Sequence, residues 1–75
     1  MSVMSVLGKS GDTEIRWDPD SGEGLQTAKR TFDEKTARHG YLAFVEGPNG
    51  DGVTMIRSFD PKAKSIILAP RLVGG

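Results

Sequence analysis

Only one segment of this chain carries a helical period, and that limits what the rest can form. Over residues 23–39, Leu25, Ala28, Phe32 and Thr36 recur at three- and four-residue steps along one stripe. Gln26, Lys29, Arg30, Asp33, Glu34 and Lys35 cover the remaining surface. A single helix with a single apolar stripe has to bury it on one face of one sheet. The flanks carry end signals. Asp20-Ser21-Gly22-Glu23 has the spacing of a capping box, with Asp in place of Ser or Thr. Arg38 and His39 fall in the last turn, where positive charge complements the helix dipole. Gly40 stands where a C-terminal cap is expected.

The sheet has to come from the short segments on either side. Residues 2–7 are apolar and valine-containing, which suits a strand. Gly8-Lys9-Ser10-Gly11-Asp12 is turn chemistry. Thr13-Glu14-Ile15-Arg16-Trp17 then alternates strictly, with Thr13, Ile15 and Trp17 on one side. The two segments make a hairpin. Asp18-Pro19 ends the second strand, because proline has no N–H to donate. After the helix, residues 41–45 read as a third strand and residues 53–59 as a fourth. Between them lies the glycine-rich loop Glu46-Gly47-Pro48-Asn49-Gly50-Asp51-Gly52. Asp60-Pro61 ends the fourth strand as Asp18-Pro19 ends the second. Residues 65–69 form a last strand, apolar enough to be central. The class is therefore α+β in the order ββαβββ. The expected core is Met4, Val6, Ile15, Trp17, Leu25, Ala28, Phe32, Leu42, Phe44, Ile66 and Leu68.

Size and composition close off several functions. The 75 residues make one domain with a small core, since a chain this short buries only about 60% of its unfolded surface. Cysteine is absent and His39 is the lone histidine. Disulfides, thiolate metal sites and histidine-rich metal sites are excluded, so packing and backbone pairing must supply the stability. Ten basic and ten acidic residues cancel, which argues against nucleic acid as the main partner. No apolar stretch approaches the ~20 residues of a membrane span, and residues 1–10 lack the pattern of a signal peptide. The expected location is the cytoplasm, and the expected state a monomer.

The chain closes on Pro70-Arg71-Leu72-Val73-Gly74-Gly75. Proline ends β pairing and releases the residues after it, so residues 1–70 read as the folded domain and 71–75 as a flexible tail. Glycine presents no side chain and reaches backbone angles closed to other residues. Such an end suits threading of the Gly75 carboxylate into a narrow enzyme channel.

The segment order, Thr13-Glu14-Ile15-Arg16-Trp17-Asp18-Pro19 at the front, and Ser65-Ile66-Ile67-Leu68-Ala69-Pro70-Arg71-Leu72-Val73-Gly74-Gly75 at the end resemble the ubiquitin-like β-grasp family. Arg71 and Leu72 stand at the distances from the end where that family's ubiquitin carries an arginine and a leucine. Val73 replaces its second arginine. The residues from Pro70 to Gly75 are also similar to the Pro-Pro-x-x-Gly-Gly ending of the family's small sulfur carriers. The resemblance implies a protein modifier or sulfur carrier that binds no cofactor. Its Gly75 carboxylate would be joined to AMP by an E1-like activating enzyme that consumes ATP. Gly74 and Gly75 would be the activated end. Pro70, Arg71, Leu72 and Val73 would be the recognised tail, with Arg71 meeting an acidic groove. The modifier and sulfur-carrier roles need the same end, so this sequence does not separate them. Lys9, Lys29, Lys35, Lys62 and Lys64 are available for linkage to other copies.

The remaining residues carry no catalytic constellation. His39 reads as a helix-end cation rather than a base, with no Ser, Cys or Asp placed to work with it. Trp17 reads as core. Asp18, Asp20, Asp51 and Asp60 read as turn formers without the alternation of a calcium loop. Residues 47–52 lack the Gly-Lys-Ser/Thr of a phosphate loop. The chain is not expected to be an enzyme. The alternative to a carrier is a β-grasp module that only binds proteins, through the open face of its sheet. Ile67 and Ala69 alternate away from Ile66 and Leu68. With Leu7 and Val45 they make the expected interaction face.

Overall fold

A computed structural model of the chain describes residues 1–8, 11–47 and 52–71. It is a small α+β domain, one helix on a five-stranded mixed sheet. The strands are β1 (Ser2–Val6), β2 (Thr13–Trp17), β3 (Leu42–Glu46), β4 (Val53–Ile56) and β5 (Ser65–Ala69). Their order across the sheet is β2-β1-β5-β3-β4. β1 and β5, first and last in sequence, lie side by side and parallel, while the other pairings are antiparallel. The helix connects the β1–β2 hairpin to β3 and covers one face. Among the described residues no helix is long and apolar enough to cross a membrane.

The core is one cluster. Met4, Val6, Trp17, Ala28, Phe32, Ala43, Ile66 and Leu68 are buried, and Ile15, Leu25, Tyr41, Val45, Ile56, Phe59 and Ala63 pack around them. The register explains the membership. Met4 lies opposite both Ile15 and Ile66, and Val6 opposite Leu68. The stripe expected on the helix is the one that is used, with Ala28 and Phe32 fully buried.

Two sequence expectations are corrected in the strands. Leu42 and Phe44 are expected in the core, but Ala43 and Val45 take that face. Both alternates of β3 are apolar, so alternation alone does not choose a side, and a one-residue slip exchanges the faces. The pairing decides it, with Ala43 opposite Leu68 and Val45 opposite Ile66. The fourth strand stops at Ile56 instead of Phe59. A bend at Arg57-Ser58 turns Phe59 back into the core. There its ring lies 5.2 Å from Trp17 and 5.6 Å from Phe32, tilted to the first and edge-on to the second. Such tilted arrangements match the ring quadrupoles.

The two aromatic-Asp-Pro corners form one interlocked device. Asp18 Oδ1 accepts the Asp20 N–H at 2.9 Å, and Asp60 Oδ1 accepts the Lys62 N–H at 3.0 Å. Each aspartate thus closes its own turn. Trp17 Nε1 then donates across to the Pro61 carbonyl at 2.9 Å, tying the first corner to the second. The amides of Asp20 and Ser21, then the Ser21 hydroxyl, hold the Asp18 carboxyl below its ordinary value of 3.8. A carboxyl lowered by folding stabilises the fold above its unfolded pKa, and that contribution disappears as pH falls through the folded value. The Tm advantage of the protein over Asp18→Asn is therefore expected to hold near neutrality and to shrink as the pH falls below 3.8. Calorimetry of both proteins across that range checks this.

The helix also differs at its ends. It runs as α1 (Leu25–Asp33) and then widens into a π-helical turn (Glu34–Arg38). Thr36 Oγ1 donates to the Phe32 carbonyl at 2.8 Å within this segment, where a side chain inserted in the ladder loosens it. The capping box does not form. Asp18, not Asp20, accepts the amides of the turn, and Glu23 lies outside the helix. Gly24 precedes the helix at φ 79°, with no side-chain cap. A Cβ there would stand 2.6 Å from the Arg16 carbonyl oxygen and 3.3 Å from the Trp17 Cα. Gly24 is thus required both for its backbone angle and for the closeness of β2. Gly24→Ala is expected to cost about 2–4 kcal/mol, read by urea unfolding, from left-handed backbone strain and the collision together. At the other end Gly40 has φ 68°, as a C-terminal cap requires. The Tyr41 N–H reaches back to the Lys35 carbonyl at 3.0 Å.

Candidate functional site

On the face of the sheet away from the helix, β3, β4 and β5 gather a group of apolar side chains. β5 presents Ile67 and Ala69 there, β3 presents Leu42 and Phe44, and β4 presents Met55 and Val53. The register brings them into rows. Ile67 lies opposite Phe44, which lies opposite Met55, and Ala69 lies opposite Leu42. On the other side of β5, Ile67 is opposite Ser5, and Val3 stands on the same face of β1. Ile67, Ala69, Leu42, Phe44 and Val3 are half-buried. Met55 and Val53 are 52% and 57% exposed. The apolar row ends at β2, where Glu14 and Arg16 stand on the same face and pair at 3.3 Å.

This changes the composition of the expected interaction face. Ile67 and Ala69 lie on the open face, as read from the alternation of β5. Val45 does not. It packs against the core on the helix side, because β3 is phased by its pairing with β5. Leu7, one residue past β1, is half-buried, and its N–H donates to the Leu68 carbonyl at 2.9 Å. Leu42, Phe44 and Met55 take the place assigned to Val45. The continuous apolar run Tyr41-Leu42-Ala43-Phe44-Val45 holds the signal for a strand with two apolar faces, but not its phase.

The base of the tail sits at the end of the most central strand. Ala69 is the last residue of β5 in register with β3, opposite Leu42. Pro70 and Arg71 come directly after it, and both are exposed. Arg71 borders a shallow hollow together with Tyr41, Leu42, Met55 and Arg57. Two arginines thus border one hollow near the exit of β5. Arg57 is not among the expected recognition residues, and nothing in the sequence separation of 57 and 71 signals that they border one hollow. Lys35 Nζ stands 5.4 Å from the centre of the Tyr41 ring near the same end. Leu72, Val73, Gly74 and Gly75 lie outside the described residues.

Elsewhere the surface is ordinary. The outer side of the helix carries Gln26, Lys29, Arg30, Asp33, Glu34 and Arg38 around a broad open depression, with Lys29 and Asp33 paired at 3.0 Å. His39 is exposed at the end of the π turn. Among the described residues no three His, Asp or Glu side chains gather as a metal-binding group. No family model, curated protein or solved structure matches the chain.

Proposed function

We propose that this chain is a ubiquitin-like β-grasp protein, a modifier or sulfur carrier activated by adenylation at the Gly75 carboxylate. The observation that carries the reading is the position of β5. It is held on both sides, parallel to β1 and antiparallel to β3, up to Ala69. Pro70 then removes the next N–H, ahead of the sequence Arg71-Leu72-Val73-Gly74-Gly75. A strand anchored this firmly is a rigid base from which a short tail reaches an enzyme's nucleotide site. Arg71 and Arg57 at that base offer paired donors to an acidic groove on the partner. The partner enzyme uses ATP, and this chain is the group carried. A single helix on a mixed sheet with parallel first and last strands supports the β-grasp assignment.

A second reading is favoured by the open face. An exposed apolar surface on a small domain marks a protein partner. Leu42, Phe44, Met55 and Ile67 would dock that partner while the tail plays no part. Comparison of a Gly75 deletion with Phe44→Asp separates the two. Covalent adducts in the native host that vanish on the deletion, with non-covalent partners retained, support activation. Partners lost only with Phe44→Asp, and no adducts in either case, support the binding module.

A further inference from the structure

The two edges of the sheet are built differently, and the difference points to a second copy of this chain. Antiparallel pairs alternate between those that exchange both backbone hydrogen bonds and those that exchange none. Gly47 donates its N–H to the Gly52 carbonyl at 2.9 Å, which fixes the alternation between β3 and β4. In the same register Val45 faces Thr54 and Ala43 faces Ile56 as bonded pairs, whereas Phe44–Met55 and Glu46–Val53 are non-bonded. Val53 and Met55 therefore turn their N–H and C=O groups outward. β4 ends the sheet order, and no described residue pairs with that side. The same two residues carry large apolar side chains that are more than half exposed. Free backbone groups and uncovered apolar side chains thus coincide on one strand, Val53-Thr54-Met55-Ile56, which has neither charge nor proline. Natural edges are ordinarily blunted by such residues.

We propose that β4 pairs antiparallel with β4 of a second copy, joining two five-stranded sheets edge to edge. A two-fold axis between Thr54 and the partner's Thr54 sets the register. Val53 then lies opposite the partner's Met55, and Met55 opposite the partner's Val53. Both are bonded pairs, so the four outward groups of each strand find partners. Both apolar pairs fall on the open face. No like charges meet within the strand, and the zero formal charge leaves no net repulsion between copies. A foreign peptide would gain the backbone bonds but would find no charge along β4 to select it. The opposite edge, β2, carries Glu14 and Arg16, so β4 is not matched to β2 of another copy and growth stops at the closed pair. The contact is small, which places it among weak interfaces that form with concentration. It departs from the monomer expected of the sequence and is independent of the role of Gly75.

Sedimentation equilibrium of the full chain, from micromolar to millimolar, reads this directly. The average mass is expected to rise toward twice that of the monomer. Met55→Pro removes an N–H that faces outward rather than toward β3, so it keeps the fold and is expected to hold the monomer mass throughout. A second readout does not depend on that variant. The chain has no cysteine. A non-bonded antiparallel pair brings its Cα atoms to about 4.5 Å, within the range of a disulfide. Thr54→Cys is therefore expected to form a disulfide-linked dimer about tenfold or more faster than Glu14→Cys on the other edge. A monomer mass for the unmodified chain at millimolar concentration, or equal cross-linking at the two edges, overturns the proposal.

Discussion

Trp17→Ala is expected to remove a large share of the protein's stability. Trp17 is fully buried, opposite Ser2 at the end of β1. It contacts the Phe59 ring and donates its indole N–H to the Pro61 carbonyl at 2.9 Å. Removing a buried tryptophan side chain costs about 3–5 kcal/mol, through lost burial and the cavity left behind. A domain of this length has about 4–11 kcal/mol in total, at the usual stability per residue. The loss also leaves the Pro61 carbonyl without its donor and frees Phe59, which reaches the core only by folding back past the end of β4. Trp17→Phe is the graded control. It keeps most of the apolar volume and loses the indole hydrogen bond, at about 1–2 kcal/mol. Urea unfolding followed by circular dichroism is expected to rank the protein, Trp17→Phe and Trp17→Ala in that order. Equal midpoints for the two variants would mean that the ring volume contributes nothing, and a Trp17→Phe midpoint equal to that of the protein would mean that the link to Pro61 contributes nothing.

If the chain is activated at Gly75 as proposed, deleting Gly75 is expected to abolish activation and leave stability unchanged. The described fold ends its pairing at Ala69, and every core residue precedes Pro70. Nothing in the core is lost with the last residue, so the thermal midpoint should not move. On the proposed reading the chemistry changes entirely, because the new carboxylate would sit one residue short of the activated end. Adenylation needs that carboxylate in line with a phosphoryl group, and misplacement of even about 1 Å costs around a hundredfold in rate. Arg71→Glu is expected to have a smaller effect of the same kind, as it reverses one of the two charges at the tail's base. Pyrophosphate exchange dependent on this chain, measured in host extract, reads both variants.

The helix and the five strands are legible in the sequence to within three residues at each end, for a definite reason. β2 alternates polar with apolar, the helix has one stripe, and Asp18-Pro19 ends the ladder after β2. These are local signals with a local cause. The phase of β3 is not legible, because Leu42, Ala43, Phe44 and Val45 are all apolar and only pairing with β5 assigns their faces. The same ambiguity reaches the interaction face, where Phe44 stands in place of Val45. The N-terminal cap is hidden for a related reason. Asp20 and Glu23 have the right spacing, but Asp18 captures the turn amides first, and β2 requires glycine at position 24. Meetings between distant positions, such as Trp17 with Pro61, arise from the fold alone and have no signature along the chain.

The central claim concerns the Gly75 carboxylate, and mass spectrometry of the protein recovered from its native host addresses it most directly. Intact mass and peptide analysis together are expected to find that carboxylate altered. It should be joined through an amide to a lysine of another protein, or have one oxygen replaced by sulfur. The first outcome makes the chain a modifier and the second a sulfur carrier. A population that carries only free carboxylate, alongside a Gly75 deletion that retrieves the same partners, would contradict the account.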